Sequence, residues 1–422
     1  MKSNFLGYQC SLCGGSYATD EVDYTCPKDG GNLDVVLDYG AMQREISPAK
    51  IATDAERCLW RYLPLLPVAD PGGPGTPLRT VGGTPVFAPG GLAKSLGLRN
   101  LWVKDESRNP TASLKDRASA IVLAHAREIG AEVVVTASSG NAGAALAGMA
   151  AALGYRAVVL VPKTAPAAKV AQLLIFGARV LLVDGSYSDA FDLSIQAAQE
   201  FGWYCRNTGY NPFTAEGKKT TALEIWEWLV RGPGNKDRQT NDRTSPLSIF
   251  VPVGDGNIIS GIHKGFKDLQ TLGWLEKTPR IFGVQAEGSA AIANAFCAGT
   301  ETISPVCPRT LADSISVDLP RDGVRALRAC RETGGSYLVV SDDEILSAIA
   351  ALGKAGIFAE PAGAASFAGL VKAVTMGVIG DDDPVLVINT GSGLKDVQAA
   401  MRAAGEATIV EPTLAAIKRV MR

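Results

Sequence analysis

The sequence is poor in three features that define large classes of proteins. It has only two histidines, a formal net charge of −2, and no apolar run of about 18 residues. His125 and His263 both lie on predicted helix faces, so we expect structural roles for them and no histidine-based catalytic triad. The small net charge gives no electrostatic reason to expect binding to nucleic acid or to an anionic membrane. Neither a membrane span nor a signal peptide is indicated.

The rest of the composition is that of an ordinary globular enzyme, for which we expect a cytoplasmic location. The chain has 422 residues, 46% hydrophobic and 20% charged, which is enough for two or three domains. The cysteines beyond residue 45 are scattered, so we expect reduced, individually buried thiols rather than a disulfide framework. These cysteines are Cys58, Cys205, Cys297, Cys307 and Cys330.

The amino-terminal segment, residues 1–45, is predicted to form a small ribbon with a candidate metal site. Cys10 and Cys13 have CxxC spacing, and Cys26 and Asp29 repeat that spacing. Two CxxC knuckles are typical of structural zinc sites, and zinc also accepts carboxylate oxygen. Two interpretations stay open: a zinc site of three cysteines and one aspartate, or a ribbon that has lost its metal and is stabilised by its small core.

Apolar strands alternate with helices through most of the remaining chain. The predicted strands are 101–104, 133–136, 157–161, 179–183, 247–253, 280–285 and 385–389. The predicted helices are 114–130, 141–153, 167–176, 188–201, 214–230, 258–269, 342–355 and 363–376. This alternation predicts parallel sheets covered by helices on both faces, in two domains with a cleft between them. The polar residues 231–246 are predicted to be a flexible surface loop.

Lys115 is the candidate catalytic residue. It follows an Asn-Pro-Thr turn, and Ser113 is a candidate N-cap for the helix that contains it. In a first helical turn the helix dipole disfavours an ammonium, which lowers the lysine pKa and suits Schiff-base chemistry. Taken alone, however, such a stretch more often indicates a solvated lysine at a helix start.

Two further segments each follow a strand and open a helix. Residues 138–143 and 254–258 are rich in glycine and small residues, and their backbone N–H groups are placed to bind an anion. Each match alone is weak, because plain strand-to-helix turns use the same residues. Thr390, which follows the last strand, offers a hydroxyl that can hydrogen-bond a pyridine nitrogen without holding a proton on it.

These segments, in this order, resemble one family. Residues 109–117 (Asn-Pro-Thr-Ala-Ser-Leu-Lys-Asp-Arg) resemble the Schiff-base segment Asn-Pro-Thr-Gly-Ser-Phe-Lys-Asp-Arg of pyridoxal-phosphate enzymes of the threonine synthase and threonine dehydratase group. Residues 390–396 (Thr-Gly-Ser-Gly-Leu-Lys-Asp) resemble the threonine synthase segment Thr-Gly-His-Gly-Leu-Lys-Asp. The resemblance covers most of residues 82–422.

The resemblance implies a tryptophan-synthase-β-like type II pyridoxal-phosphate fold of class α/β. We expect two doubly wound domains and the zinc-ribbon-like amino-terminal segment. The large cofactor-binding domain is expected at residues 46–107 and 202–422, and the small domain at 108–201. The resemblance also implies a homodimer.

The same resemblance implies a role for each matched position. Lys115 holds the cofactor aldehyde as a Schiff base and, once displaced by an amino acid, moves the α-proton. The other residues implied to bind the cofactor are Asn141, Gly254, Asp255, Gly256, Asn257, Ile258 and Thr390. The substrate carboxylate is implied to bind Ser138, Ser139 and Gly140. Asp255 is expected to point away from the cofactor phosphate, which it would repel, and residues 360–365 are implied to line the ring.

One departure from the family concerns the substrate. Residues 207–220 resemble the threonine synthase segment Asn-Ser-x-Asn-Pro-Tyr-Arg-x-Glu-Gly-Gln-Lys-Thr, whose arginine is implied to grip the phosphate of O-phosphohomoserine. Thr214 stands at that position and cannot make charge-assisted bidentate contacts. Lys104, Lys218 and Arg117 are candidates to compensate, so we include Lys104 and Thr214 among the predicted substrate-binding residues.

The sequence therefore predicts a pyridoxal-phosphate-dependent carbon–oxygen lyase that acts on an amino acid. The ribbon and residues 390–396 favour threonine synthase. The short 254–258 turn and Thr214 favour a serine or threonine dehydratase, or a β-replacing enzyme such as cysteate synthase. A cofactor-less binding or regulatory protein is disfavoured by the intact Lys115.

Overall fold

The computed structural model describes residues 4–165, 167–231 and 246–421 and contains three sheets in this part of the chain. The strands are β1 (Phe5–Cys10), β2 (Ser16–Tyr17), β3 (Leu33–Leu37), β4 (Val86–Phe87), β5 (Leu101–Asp105), β6 (Val133–Ala137), β7 (Arg156–Pro162), β8 (Arg179–Val183), β9 (Tyr204–Cys205), β10 (Ser248–Pro252), β11 (Arg280–Ala286), β12 (Tyr337–Val340) and β13 (Val385–Asn389). Most of the predicted polar loop, residues 232–245, lies outside the described residues.

The helices connect these strands and cover the sheets. They are α1 (Tyr39–Glu45), α2 (Pro48–Thr53), α3 (Gly90–Ser95), α4 (Lys115–Glu128), α5 (Asn141–Leu153), α6 (Ala167–Ile175), α7 (Tyr187–Phe201), α8 (Phe213–Arg231), α9 (Asn257–Thr271), α10 (Ala291–Cys297), α11 (Gly323–Glu332), α12 (Asp342–Lys354), α13 (Pro361–Thr375), α14 (Val397–Ala404) and α15 (Leu414–Val420). Short 3-10 turns lie at Leu59–Leu65, Pro77–Thr80, Glu106–Arg108, Glu287–Ser289, Asp313–Ile315 and Gly393–Lys395.

The amino-terminal ribbon is an antiparallel sheet with the strand order β2-β1-β3. Its inner face is apolar, since Phe5, Tyr8, Leu33 and Val35 are buried in the main core. The ring of Phe5 packs edge-on against Phe213 of α8, with 5.7 Å between the ring centroids. The ribbon is thus attached to the body of the protein rather than tethered beside it.

The small domain is built on a parallel four-stranded sheet with the order β8-β7-β6-β9. Strand β6 is buried along its whole length, as expected for a parallel strand covered by helices on both faces. The predicted boundary of this domain at residue 201 is too early, because β9 at Tyr204–Cys205 pairs with β6 and belongs to the same sheet.

The large domain is built on a six-stranded sheet with the order β12-β11-β10-β13-β5-β4. All neighbours in it are parallel except β4 and β5. Helix α12 begins with a capping box in which Ser341 and Glu344 satisfy each other's backbone N–H groups. These sheets and helices confirm the predicted α/β class, and every predicted anion-binding turn follows the carboxyl end of a parallel strand, where ligands bind in such folds.

A buried ion-pair network joins α4, β5 and α8. Arg117 Nε donates to Glu106 Oε2 at 2.7 Å, and Arg117 Nη1 donates to Glu224 Oε1 at 2.6 Å. Lys104 Nζ donates to Glu224 Oε2 at 2.7 Å and to Thr84 Oγ1 at 2.8 Å. Because these side chains are almost completely buried, each charge depends on its partners.

The histidines and cysteines are placed partly as expected. His125 stacks on Phe213 with 3.7 Å between centroids, and burial lowers the pKa of His263 to about 4. All cysteines are free thiols, but Cys297 and Cys307 are exposed, so the expectation that each scattered cysteine is buried is wrong for these two.

Among the described helices, none is both long and apolar enough to cross a membrane.

Replacing Arg117 with leucine is expected to lower the free energy of unfolding by about 3–5 kcal/mol, because Glu106 and Glu224 lose the cation that compensates their burial. The control is Arg99→Leu, which breaks the exposed pair between Arg99 and Asp382 and should change stability by less than about 1 kcal/mol. Urea denaturation of both variants measures the two changes in the free energy of unfolding. Equal losses in the two variants would contradict the claim that the buried network stabilises the fold more than an exposed ion pair does.

Candidate active site

Lys115 is the first residue of α4, and its turn is tied to the turn that follows β13. Leu114 N donates to Thr390 O at 2.9 Å, and Ser392 N donates to Ala112 O at 3.1 Å. These two bonds join the start of α4 to the carboxyl end of the large sheet. The side chain of Lys115 is therefore held between the two domains.

The predicted N-cap of this helix is wrong. The capping position is Leu114, and Ser113 Oγ has no hydrogen-bond partner within the described residues. The turn is instead closed by Asp116, whose carboxylate accepts from the backbone N of Thr111 at 2.6 Å and from its Oγ1 at 2.5 Å. Asp116 thus orders the turn that precedes Lys115.

Ala112 occupies a left-handed backbone conformation, with φ of 63°. It is the residue that stands where the resembling family has glycine, which adopts this conformation freely. An alanine here costs on the order of 1–3 kcal/mol and persists because the surrounding bonds fix the turn. The strain thus lies three residues before Lys115, the predicted catalytic residue.

One cavity brings together most of the predicted site. Its lining includes Lys115, Asn141, Lys218, Thr390 and the whole 254–258 turn. A second cavity adjoins it at Asn141 and extends along Ser139 and Gly140. A larger open cavity at the opposite ends of β6 and β7 contains none of the predicted site residues.

The amine of Lys115 is unusually easy to deprotonate. Burial, together with the nearby charge of Arg206, lowers the pKa of Lys115 to about 8. The carboxylates of Asp255 and Glu360 oppose this shift but do not cancel it. A substantial fraction of the amine is therefore neutral near pH 7 to 8, the form that attacks a carbonyl carbon.

The 254–258 turn has the geometry of an anion cradle. Gly256 has φ of 91°, and a Cβ there would lie 2.5 Å from Asp322 O. A Cβ at Gly254 would lie 2.8 Å from Ile315 Cα, so both positions need glycine. Helix α9 begins at Asn257 without a side-chain cap, which leaves its first N–H groups available for an anion.

Asp255 lies in the same turn. Its carboxylate accepts from the backbone N of Arg321 at 3.3 Å, and burial raises its pKa. The expectation that it points away from a bound phosphate stays a prediction.

A chain of hydrogen bonds runs from the amino-terminal ribbon to this turn. Arg325 Nη1 donates to Asp34 Oδ1 of the ribbon at 2.7 Å, and Arg325 Nε donates to Asp322 Oδ1 at 2.7 Å. Asp322 Oδ2 accepts from Asn257 Nδ2 at 2.7 Å. The ribbon therefore helps to hold the first residue of α9 in place.

Asn141 opens α5 directly after the Ser138–Gly140 turn, as the sequence predicted. Its Nδ2 donates to both carboxylate oxygens of Glu360, at 2.8 and 2.9 Å. Glu360 is buried, and burial raises its pKa. The sequence placed this residue only in a ring-lining segment, and no pattern in it signals that the carboxylate binds Asn141.

Lys104 and Thr214 are two predicted substrate-binding residues that the structure does not bring to the cavity. The hydrogen bonds of Lys104 go to Thr84 and Glu224 in the buried network, and Arg117 is held there too. Thr214 is buried, and its hydroxyl donates to Asn211 O at 2.7 Å. Both side chains are already committed to structural bonds, so these two assignments are corrected.

The predicted metal ligands of the ribbon converge. The Sγ atoms of Cys10, Cys13 and Cys26 and a carboxylate oxygen of Asp29 all lie within 4.8 Å of one another. The Cys13 and Cys26 sulfurs are 3.7 Å apart, and Cys10 Sγ is 3.4 Å from Asp29 Oδ1. Tetrahedral zinc with Zn–S bonds of about 2.3 Å separates its sulfur ligands by roughly 3.8 Å, so the spacing suits that ion.

The pKa of Lys115 can be measured by cyanate labelling of the protein freed of cofactor, followed by mass spectrometry. The labelling rate should rise with pH and level off above a midpoint of about 8, because only the neutral amine reacts. Replacing Arg206 with glutamine should move the midpoint upward, since it removes a neighbouring positive charge. A midpoint near the ordinary lysine value of about 10.4 would contradict the proposed environment.

Comparison with known proteins identifies the family of the chain. A model of the pyridoxal-phosphate dependent enzyme family matches residues 78–391. Threonine synthase of Methanocaldococcus jannaschii is 39% identical over 98% of this chain and 99% of its own, and that of Methanosarcina acetivorans is 40% identical over 98% of each. In both relatives the match includes nearly the whole chain, and therefore the ribbon as well as the two domains.

Solved structures show the same fold at lower identity. Threonine deaminase isoform 2 of Solanum lycopersicum has a TM-score of 0.64 at 23% identity, covering 83% of this chain and 89% of its own. Maize serine racemase has a TM-score of 0.61 at 24% identity, covering 74% and 88%. The chain therefore belongs to the pyridoxal-phosphate dependent enzymes and, within them, to the threonine synthase family.

Proposed function

We propose that this enzyme converts O-phosphohomoserine and water to threonine and phosphate, the threonine synthase reaction. The observation that carries the proposal is the convergence of the Lys115 amine, the 254–258 turn and the Ser138–Gly140 turn on adjoining cavities between the two domains. Nearly full-length similarity to two threonine synthases supports it. The enzyme would then serve amino-acid biosynthesis.

The residues of the cavity fit pyridoxal phosphate. Burial lowers the pKa of Lys115, so its amine is available to the cofactor aldehyde. The 254–258 turn and the start of α9 offer backbone N–H groups for a phosphate. Thr390 lines the same cavity, and its hydroxyl would bond the ring nitrogen. When bound, the cofactor supplies an aldehyde that takes up an amine and a ring that withdraws electrons from the α-carbon.

The protein's own part in the reaction is proton transfer and orientation. We assign to Lys115 Nζ the removal of the α-proton, since its lowered pKa suits a general base near neutral pH. Backbone N–H groups of Ser138–Gly140 would bind the substrate carboxylate, as the resemblance implies. Glu360 holds the side chain of Asn141 across the domain boundary, where it would face the bound ring.

A second candidate is a β-eliminating or β-replacing enzyme that acts on another amino acid, such as serine. The placement of Thr214 favours it, because its buried hydroxyl is bonded to Asn211 O and cannot reach a phosphate. Such an enzyme would release a keto acid or exchange a β-substituent, and it would not release phosphate from O-phosphohomoserine.

We also propose that the ribbon binds one structural zinc ion through Cys10, Cys13, Cys26 and Asp29. The close approach of the four side chains supports this, as does the backbone N–H of Leu12, which donates to Cys10 Sγ at 3.3 Å. No base or substrate cavity adjoins the cluster among the described residues, so a catalytic role for this metal is not proposed. A cytoplasmic homodimer is proposed on the resemblance alone.

The reaction is tested by incubating the purified holoenzyme with O-phosphohomoserine and measuring phosphate and threonine. Both products are expected in equal amounts, and Lys115→Ala should abolish them together with the visible absorbance of the bound cofactor. Lys94→Ala, on the exposed side of α3, serves as the control and should retain activity. Keto-acid release from serine or threonine without phosphate release would replace this proposal with the second candidate.

The zinc proposal is tested by elemental analysis of the purified protein. About one zinc per chain is expected, and Cys26→Ser should lower both the zinc content and the melting temperature, because structural zinc contributes to folding. The exposed Cys297 provides the matched control, Cys297→Ser, which should change neither. Zinc at well below one per chain in the unmodified protein would contradict the site.

A further inference from the structure

We propose that Arg206, together with Lys218, binds the phosphate group of the substrate and so takes the role that Thr214 cannot fill. The inference rests on the proposed function and specifies how its substrate would be recognised. The chemistry recognised is a phosphate monoester dianion. The cofactor's phosphate has the same chemistry, so the test below separates the two sources.

Arg206 is a buried guanidinium with an unused donor. It is fully buried, its Nε donates to Ser119 Oγ at 3.2 Å, and its Nη1 donates to Thr208 Oγ1 at 2.7 Å. Its Nη2 has no hydrogen-bond partner, and no carboxylate within the described chain lies within ion-pair distance of it. Buried arginines are normally paired with an anion, because an unpaired buried charge is strongly unfavourable.

The neighbouring cations strengthen the case for an anion. Arg206 lies close enough to Lys115 and Lys218 for its charge to lower the pKa of both. Burial lowers the pKa of Arg206 itself to about 10, and the charge of Asp116 opposes this shift without cancelling it. With Lys115 engaged by the cofactor, Arg206 remains as a buried cation without an ion-pair partner in the described chain. Lys218 lies near it, and its Nζ donates to Asn257 Oδ1.

The position of Arg206 indicates that it binds the phosphate of the substrate rather than that of the cofactor. It directly follows β9, and its backbone N donates to Val135 O of the neighbouring parallel strand β6. Ser138 follows β6, so Arg206 lies at the same edge of the small sheet as the turn assigned to the substrate carboxylate. The 254–258 turn, by contrast, belongs to the large sheet.

Two contacts connect Arg206 to the reacting lysine. Thr208, which holds its Nη1, lines the same cavity as Lys115. Lys218 lines that cavity as well and lies one helical turn after Thr214 on α8. Lys218 is therefore placed next to the position where the resembling family has its phosphate-binding arginine.

The test is the variant Arg206→Gln, which keeps a polar side chain of similar length but removes the charge. The KM for O-phosphohomoserine and the inhibition constant of inorganic phosphate should both rise about 10- to 100-fold, as expected for one lost charge-assisted contact. The value of kcat should change less. The affinity of the apoprotein for pyridoxal phosphate, titrated by visible absorbance, should stay within about threefold of the unmodified protein.

Two further variants serve as controls for the effect of the charge at position 206. Arg206→Lys keeps the charge and should recover part of the lost substrate affinity, which a merely structural role would not predict. Arg156→Gln removes an exposed arginine from the opposite end of the small sheet and should leave all three constants unchanged. Melting temperatures of all variants show whether each is folded.

Two results would overturn the inference. Unchanged KM and phosphate inhibition in Arg206→Gln would exclude any phosphate contact. Unchanged KM with a large loss of pyridoxal phosphate affinity would assign the pair to the cofactor instead.

The inference and the proposed function can fail separately. Inorganic phosphate should raise the melting temperature of the unmodified holoenzyme and have a weaker effect on Arg206→Gln, whatever reaction the enzyme catalyses. If this dependence on Arg206 is seen but O-phosphohomoserine is not converted, the anion site is supported and the threonine synthase assignment is wrong.

Discussion

The central feature of the structure is a group of buried, positively charged side chains in the cleft between the two main sheets. Lys115, Lys218 and Arg206 lie close together with no ion pair of their own in the described chain, and burial lowers the pKa of each. This arrangement is unfavourable for the protein alone and becomes favourable once phosphate groups enter. The same low-dielectric setting leaves the Lys115 amine partly neutral, so one physical cause accounts for both anion binding and nucleophilicity.

The rest of the molecule holds this cleft in place. The Arg117 network is fully compensated and fixes α4 against β5 and α8. The cations of the cleft, by contrast, form no ion pair among the described residues. Hydrogen bonds through Arg325 and Asp322 connect the ribbon to Asn257 in the 254–258 turn. The ribbon that carries the proposed zinc site is thereby linked to the turn that is proposed to bind the cofactor phosphate. Stability and function are thus assigned to different charged clusters.

Much of the fold could be predicted from the sequence, because long apolar strands alternating with helices have few alternative folds. The bounds of β8, β13 and α5 agree with expectation to the residue, and the resemblance indicated Lys115. The predictions that failed concern tertiary contacts of individual side chains. Nothing in the sequence shows that Lys104 is already paired with Glu224, or that Asp116 rather than Ser113 closes the catalytic turn. Arg206 was not predicted, because what distinguishes it is a buried Nη2 group without a hydrogen-bond partner. A sequence pattern does not show which side-chain atoms are left without partners.

The central claim is that the amine of Lys115 reaches the aldehyde of bound pyridoxal phosphate. Borohydride reduction of the holoenzyme followed by peptide mapping tests this most directly, because it makes the lysine–cofactor bond permanent. The account predicts a pyridoxyl group on Lys115 and on no other lysine. A pyridoxyl group on a different lysine, or none on a protein that is saturated with cofactor, would contradict it.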